Sequence, residues 1–204
     1  VAITFPFFFF FLVAKEDLLA NINLFGVDLV LESAFFGVMM FFCILFVPFW
    51  LRISKRFNKV GAYIAGMAAW IVVQLMIFTI QPGETNYLLT IAALAGIGVS
   101  AAYVLPDSIL PDVIEWDELR TGRRQEGIYY GIRTLIRKVT GAGVIFITLQ
   151  ILGWSGYQAP PEGVTVYQQH ESALFMIRVM DSFIGAAILM GTIVLAWFYP
   201  LTRE

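Results

Sequence analysis

Charge is what this chain has least of. Asp, Glu, Lys and Arg make up 14% of the 204 residues, against 59% hydrophobic, and the mean hydropathy is +0.80. A soluble domain carries about 25% charged residues, so there is too little polar surface here to face water on every side. The net charge is -2, and without a basic footprint nucleic acid is not a partner. The single cysteine, Cys43, leaves no disulfide to form within the chain, and in the apolar run 35–50 it reads as a small buried hydrophobe. The single histidine, His170, sits among Gln168, Gln169 and Glu171 with no second ligand nearby, so neither a metal nor a cofactor is expected. The chain opens on Val1 with no basic n-region, and no signal peptide is read.

What is present is a succession of six apolar segments, 1–14, 33–51, 62–80, 87–105, 128–152 and 173–199. None alternates with period two, so a transmembrane barrel is not supported and the spans read as helices of a multi-pass membrane protein. The first would be about 21 Å long at 1.5 Å per residue, short of a hydrocarbon core of about 30 Å. It is expected to be cut short, and the chain to be the C-terminal piece of a longer protein.

The connections differ in sign. Segment 52–61 holds Arg52, Lys55, Arg56 and Lys59 without an acid, and 106–127 holds Arg120, Arg123 and Arg124. Segment 15–32 has one basic residue, Lys15, against Glu16, Asp17, Asp28 and Glu32, while 81–86 and 153–172 have neither Lys nor Arg. Basic residues in alternate loops place 52–61, 106–127 and the C-terminus in the cytoplasm by the positive-inside rule. Small residues mark close helix contacts: Gly61, Ala65, Ala68 and Ala69 in the third segment, and Ala92, Ala95, Gly96, Val99 and Ala102 in the fourth. The run Phe7 to Phe11 is expected to face lipid. Trp154, Tyr157 and Tyr167 fit an outer interfacial belt, and Trp50, Trp197 and Tyr199 an inner one. Gln74 is expected to hydrogen-bond between helices.

The fifth segment carries charge where charge is costly. Arg133 and Arg137 are four apart, as are Thr134 and Lys138, so each pair shares a helical face. From Gly127 a helix places Arg133 about 9 Å deep, within reach of the interface, and Lys138 about 16 Å deep, near the midplane. A basic group there costs roughly 2.5 to 3.5 kcal/mol by insertion scales. Two readings fit: a structural ion pair with another helix, or a solute pathway, and the pathway is the one taken. No acid of the chain is placed at matching depth from sequence, so the partner is expected to be a carboxylate outside the chain or a bound solute. Arg178 and Asp181, three apart in the last segment, read as a structural pair or as charges that snorkel to the outer interface.

The polar island DVIEWDELRTGRRQEG reads as a solvated cytoplasmic connection with a structural or gating role, carried by Asp112, Glu115, Arg123 and Arg124. An enzyme site is the other reading of its carboxylates, but no convergent nucleophile and base is found, and the protein is expected not to be an enzyme. Because Asp107 and Asp112 each follow a proline, a broken or unwound helix end is expected there.

These residues bring a family into view. Pro111-Asp112-Val113, the string Thr121-Gly122-Arg123-Arg124-Gln125-Glu126-Gly127, the Arg137-Lys138 pair and Leu152-Gly153-Trp154-Ser155-Gly156-Tyr157 resemble the melibiose-permease-like glycoside-pentoside-hexuronide:cation symporters of the major facilitator superfamily. The basic loop from Arg52 to Lys59 is similar to the cytoplasmic loop joining helices eight and nine of that superfamily. The resemblance covers essentially the whole chain. It implies an all-α fold, residues 1–204 forming the six-helix C-terminal half, helices seven to twelve of twelve. It also implies that Lys138 matches a lysine near the cation and sugar sites, with Thr134 nearby on the same face. The carboxylates that bind the coupling cation, and most sugar contacts, lie in the family's N-terminal half.

The expected function is therefore secondary active transport of a sugar or glycoside, driven by Na⁺ or H⁺ through alternating access. The protein is placed in the cell membrane, the inner or plasma membrane. Its partners are the solute, the cation, membrane lipids and the N-terminal half. The substrate and coupling pathway is assigned to Lys138, Thr134, Arg137 and Arg133. Arg133 and Arg137 make the site more basic than a neutral sugar needs, which leaves an anionic substrate open. A sodium-dependent lysophospholipid symporter is the alternative, and a non-transporting six-helix scaffold or receptor a further one.

Overall fold

The computed structural model describes residues 21–24, 27–81, 84–158 and 170–198. The first expected segment, 1–14, with its phenylalanine run, lies outside the described residues, as do Tyr167, Tyr199 and the C-terminus. An antiparallel pair of strands, β1 (Asn21–Leu24) and β2 (Val27–Val30), pairs Asn21 with Val30 and Leu24 with Val27. It lies in segment 15–32, which the sequence presents as a connection between apolar segments. Asn-Ile-Asn-Leu alternates with period two, and Val-Asp-Leu-Val does so over its first three residues, a signal that a search for long apolar runs passes over.

The rest is helical: α1 (Leu31–Arg56), α2 (Lys59–Ile77), α3 (Thr85–Thr121), α4 (Glu126–Trp154), then α5 (Glu171–Val179), a π-helical turn (Met180–Ile184) and α6 (Gly185–Trp197). The last three form one continuous span. Five described spans are long and apolar enough to cross a membrane, so the expected helical membrane architecture holds, with the short β1–β2 hairpin as its one addition among the described residues.

The helix ends follow local chemistry. Lys55 and Arg56 in the last turn of α1 complement the negative end of its dipole. The Asn58 side chain accepts a hydrogen bond from the Gly61 N–H and caps α2, so the chain reverses over Phe57 and Asn58. Gly122, at φ 67°, takes the left-handed conformation that closes α3, and its N–H donates to Glu118 O at 2.8 Å.

The prolines of α3 correct an expectation. The helix does not break near Pro106 or Pro111 but runs through both for 37 residues in all. At about 55 Å it exceeds the hydrocarbon thickness of about 30 Å and projects beyond it. Each proline lacks an N–H for the carbonyl four residues back, and such gaps are tolerated in membrane helices that neighbours support. Between the two prolines α3 is braced from outside by Lys59 Nζ, which donates to Ser108 O at 2.8 Å.

Two apolar clusters stack along the helix axes. Toward the hairpin end, Leu31, Phe35, Val73, Ile77, Leu88 and Ile91 pack with Leu152 and Ile177. Toward the basic end, Trp50, Ala62, Met67, Ala101, Leu105 and Leu189 pack together. Trp50 is thus not interfacial: it is 4% exposed, and its Nε1 donates to Ile97 O at 2.9 Å. Trp154 and Trp197 are exposed as a belt requires. Cys43 is only half-buried.

Small residues set the approach of α3 to its neighbours. A Cβ added at Gly96 would strike the backbone of α1 at Met39 and Cys43, and one at Gly66 would strike the Ala101 Cβ. Ala92, Ala95 and Val99 are buried as expected, whereas Ala65, Ala68 and Ala69 of α2 are exposed and Ala62 and Gly66 make its contact face. The reason is phase: α2 is apolar all round, so composition does not single out its inner face.

Candidate functional site

α4 is the element that carries the mid-membrane charges, and it is the least covered of the long helices. Its buried residues are Thr148 and Leu152, near its C-terminal end. Toward the other end it is tied to α3 by an ion pair between Arg133 Nη2 and Asp107 Oδ1. The fourth apolar segment, expected to end at Leu105, leaves Asp107 outside the helix, so the sequence offers Arg133 no partner. With α3 helical through Pro106, Asp107 stands on a helix wall opposite Arg133. The signal that was present is the regular Pro-Asp spacing, Pro106-Asp107 and Pro111-Asp112, which offers two carboxylates on adjacent turns of one rod.

The second carboxylate is also engaged. Asp112 Oδ2 lies 2.6 Å from Lys59 Nζ of α2, which also reaches Ser108 O. Lys59 was read only as loop charge, and its role as a clamp between α2 and α3 was missed. α3 is thus linked to α2 through Asp112 and to α4 through Asp107.

Beside the Arg133–Asp107 pair, α2, α3, α4 and α6 border an open cleft of about 460 Å³, lined by residues that include Tyr63, Ile109, Val113, Arg133 and Leu195. A second cavity, of about 350 Å³, lies where α3 meets α4 and is lined by Pro111, Ile114, Glu115, Glu118, Arg124, Glu126 and Tyr130. There the Arg124 guanidinium binds Glu126 Oε1 and stands 3.7 Å from Glu118 Oε2, and the Glu126 hydrogen bond foremost raises its pKa.

The expected pathway residues are divided by this arrangement. Arg133 lines the larger cavity. Thr134 Oγ1 donates to Tyr130 O on its own helix at 2.8 Å. Thr134, Arg137 and Lys138 are exposed on the uncovered part of α4. Of the expected gating residues, Glu115 and Arg124 share the smaller cavity, Asp112 belongs to the Lys59 clamp, and Arg123 is exposed with its N–H directed to Thr121 Oγ1 at 3.4 Å. Gln74 meets its expectation: it is 1% exposed and its Nε2 donates to the backbone carbonyl of Asp181. Asp181 is wholly buried in the π-helical turn, while Arg178 is half-buried and its carbonyl accepts from Ser182 Oγ at 2.6 Å. Among the described residues no group of three or more His, Cys, Asp or Glu side chains is placed to hold a metal ion.

Comparison with known proteins sets this geometry in context. The family described as MFS/sugar transport protein matches residues 23–203. The chain is 38% identical over 154 residues to an uncharacterized symporter of Synechocystis sp., covering 76% of this chain and 28% of that protein. It is 27% identical over 162 residues to the sodium-dependent lysophosphatidylcholine symporter 1 of Gallus gallus, covering 78% of this chain and 29% of the relative. It is 26% identical over 149 residues to the glucuronide carrier protein homolog of Escherichia coli (strain K12), covering 73% and 31%. The chain therefore spans less than a third of the length of each of these relatives.

Proposed function

The chain belongs to the MFS/sugar transport protein family, and on that premise we propose that it forms the C-terminal six-helix half of a cation-coupled symporter for a sugar or glycoside. The observation that carries this reading is α4: a membrane-spanning helix with Arg137 and Lys138 on a surface that the other described helices leave uncovered. A second six-helix repeat covering that surface would bury both charges. A transporter whose solute site lies between two rocking repeats requires such a surface. An unpaired charge there costs several kcal/mol, so Lys138 faces a carboxylate of the other half or the bound solute, and the exchange of one for the other couples binding to rocking. Na⁺ or H⁺ is the driving ion, held in the N-terminal half.

In the membrane the basic end, with the Lys59–Asp112 clamp and the two cavities, faces the cytoplasm, as does the C-terminus. Asp112, Glu115, Arg123 and Arg124 act there as a gate that closes and opens with the cycle. A second reading, symport of a lysophospholipid, is favoured by the sodium-dependent lysophosphatidylcholine symporter among the relatives and by the apolar lining of the larger cavity.

The test is uptake by the full-length protein in liposomes under an imposed Na⁺ or H⁺ gradient. Lys138→Ala is expected to abolish gradient-driven uptake while leaving membrane insertion intact. Lys138→Arg is expected to rescue it poorly, because a planar guanidinium does not replace a compact ammonium. Concentrative uptake by Lys138→Ala at near-normal rate would remove Lys138 from the pathway, and an absence of gradient-driven uptake by the wild type would leave a scaffold.

A further inference from the structure

The larger cavity has an uneven lining. Tyr63 of α2, Ile109, Leu110 and Val113 of α3 and Leu195 of α6 give it apolar walls, and Arg133 is the one charged side chain among its described lining residues. Its volume of about 460 Å³ lies within the usual range for a small-molecule site, roughly 300 to 1,000 Å³. A guanidinium carries five N–H donors in a fixed fork. The ion pair engages Nη2 with Asp107 Oδ1, so an oxyanion that takes the whole fork competes with Asp107 for it. Arg133 and Asp107 come from different helices, and their side chains are 40% and 59% exposed. They form an accessible pair that a competing anion can open, not a sealed strut.

We propose that this cavity is a charge-selective subsite for an amphiphilic organic anion. Arg133 binds a carboxylate, sulfonate or phosphate of the solute, the apolar walls take its body, and Asp107 is the internal counter-ion that the solute displaces. The inference rests on the transporter reading and narrows its substrate class. It also makes the pair a sensor. Displacing Asp107 from Arg133 removes the charged tie between α3 and α4 near the basic end, so binding of an anion releases the end of α4 at which that helix is least buried.

The two residues carry predictions of opposite sign. In an anion subsite Asp107 competes with the ligand, so removing its charge strengthens anion binding. In a purely structural ion pair, loss of either partner has the same consequence. The experiment measures binding to the full-length protein in detergent by calorimetry, with three probes. They are 4-nitrophenyl β-glucoside, which is neutral; 4-nitrophenyl β-glucuronide, a matched sugar carboxylate; and octyl phosphate, an anion of lipid type. The wild type is expected to bind at least one anion about tenfold or more tighter than the glucoside, and the tighter of the two identifies a sugar or a lipid source. Arg133→Gln is expected to erase that preference, and Asp107→Asn to increase anion affinity several-fold. Equal binding of the glucoside and both anions overturns the proposal. So does Asp107→Asn that weakens anion binding, a result that stands even where Arg133→Gln does not fold. Gradient-driven uptake of the neutral glucoside without charge preference would overturn this inference alone and leave symport standing. Charge-selective binding without gradient-driven uptake would do the reverse.

Discussion

Lys59 Nζ reaches both carboxylate oxygens of Asp112, at 2.7 and 2.6 Å, and the carbonyl of Ser108 at 2.8 Å. One ammonium at the start of α2 thus spans one turn of α3, between a proline-bearing turn and the acid that follows it. The clamp joins the turn after α1 to the extension of α3, two stretches 53 residues apart in sequence.

Removal of this clamp is expected to have a small energetic effect. The Lys59 and Asp112 side chains are 28% and 47% exposed, and pairs of that exposure contribute about 0.2 to 1 kcal/mol. A double-mutant cycle of Lys59→Ala and Asp112→Asn, read by thermal unfolding in detergent, should give a coupling in that range. A coupling near zero would mean that the pair does not hold α2 to α3.

Gly66 is expected to resist any enlargement. A Cβ there would overlap that of Ala101, and overpacking of a tight contact costs about 1 to 3 kcal/mol. Gly66→Ala should lower the melting temperature, and Ala101→Gly in the same chain should restore most of the loss. Without that restoration the contact between α2 and α3 lies elsewhere.

Gln74→Leu tests the link between α2 and the π-helical turn. The Gln74 amide donates to the carbonyl of Asp181 in a fully buried setting. Hydrogen bonds between membrane helices average about 0.6 kcal/mol and reach about 1.7. The variant should be destabilised within that range, with faster hydrogen exchange confined to residues near 180–184. Unchanged exchange there would show that the π turn stands without Gln74.

The orientation is tested by labelling. With Cys43 replaced, cysteines at Lys55 and Gly163 are introduced one at a time into the full-length protein in sealed membranes. The basic loops predict that Lys55→Cys reacts with a membrane-impermeant reagent only from the cytoplasmic side, and Gly163→Cys only from outside. Reaction of Lys55→Cys from outside would invert the topology.

The number, order and approximate placement of the described spans were legible from the sequence alone, because a bilayer imposes its own selection. A run of about twenty apolar residues has one stable state there, the helix, since every backbone group must be satisfied within it. Spans expected at 33–51, 62–80, 128–152 and 173–199 accordingly meet helices with ends displaced by a few residues, as at Leu31–Arg56 and Glu126–Trp154. The family, too, was legible, because most of its motif lies in one continuous stretch, from Pro111 to Lys138. Facing and pairing were not. Whether Ala62 or Ala65 turns inward depends on the rotation of a helix that is apolar on all sides, and packing against Ala101 decides it. Whether Pro106 ends α3 depends on what holds the stretch beyond it against its neighbours. Only the folded chain supplies those contacts, through Lys59 at Ser108 and Asp112 and through Arg133 at Asp107. The Arg133–Asp107 pair escaped the sequence reading for the same reason. Charges 26 residues apart meet only because the chain turns back between Thr121 and Glu126, and how two helices lie after such a turn is not a property of either segment by itself.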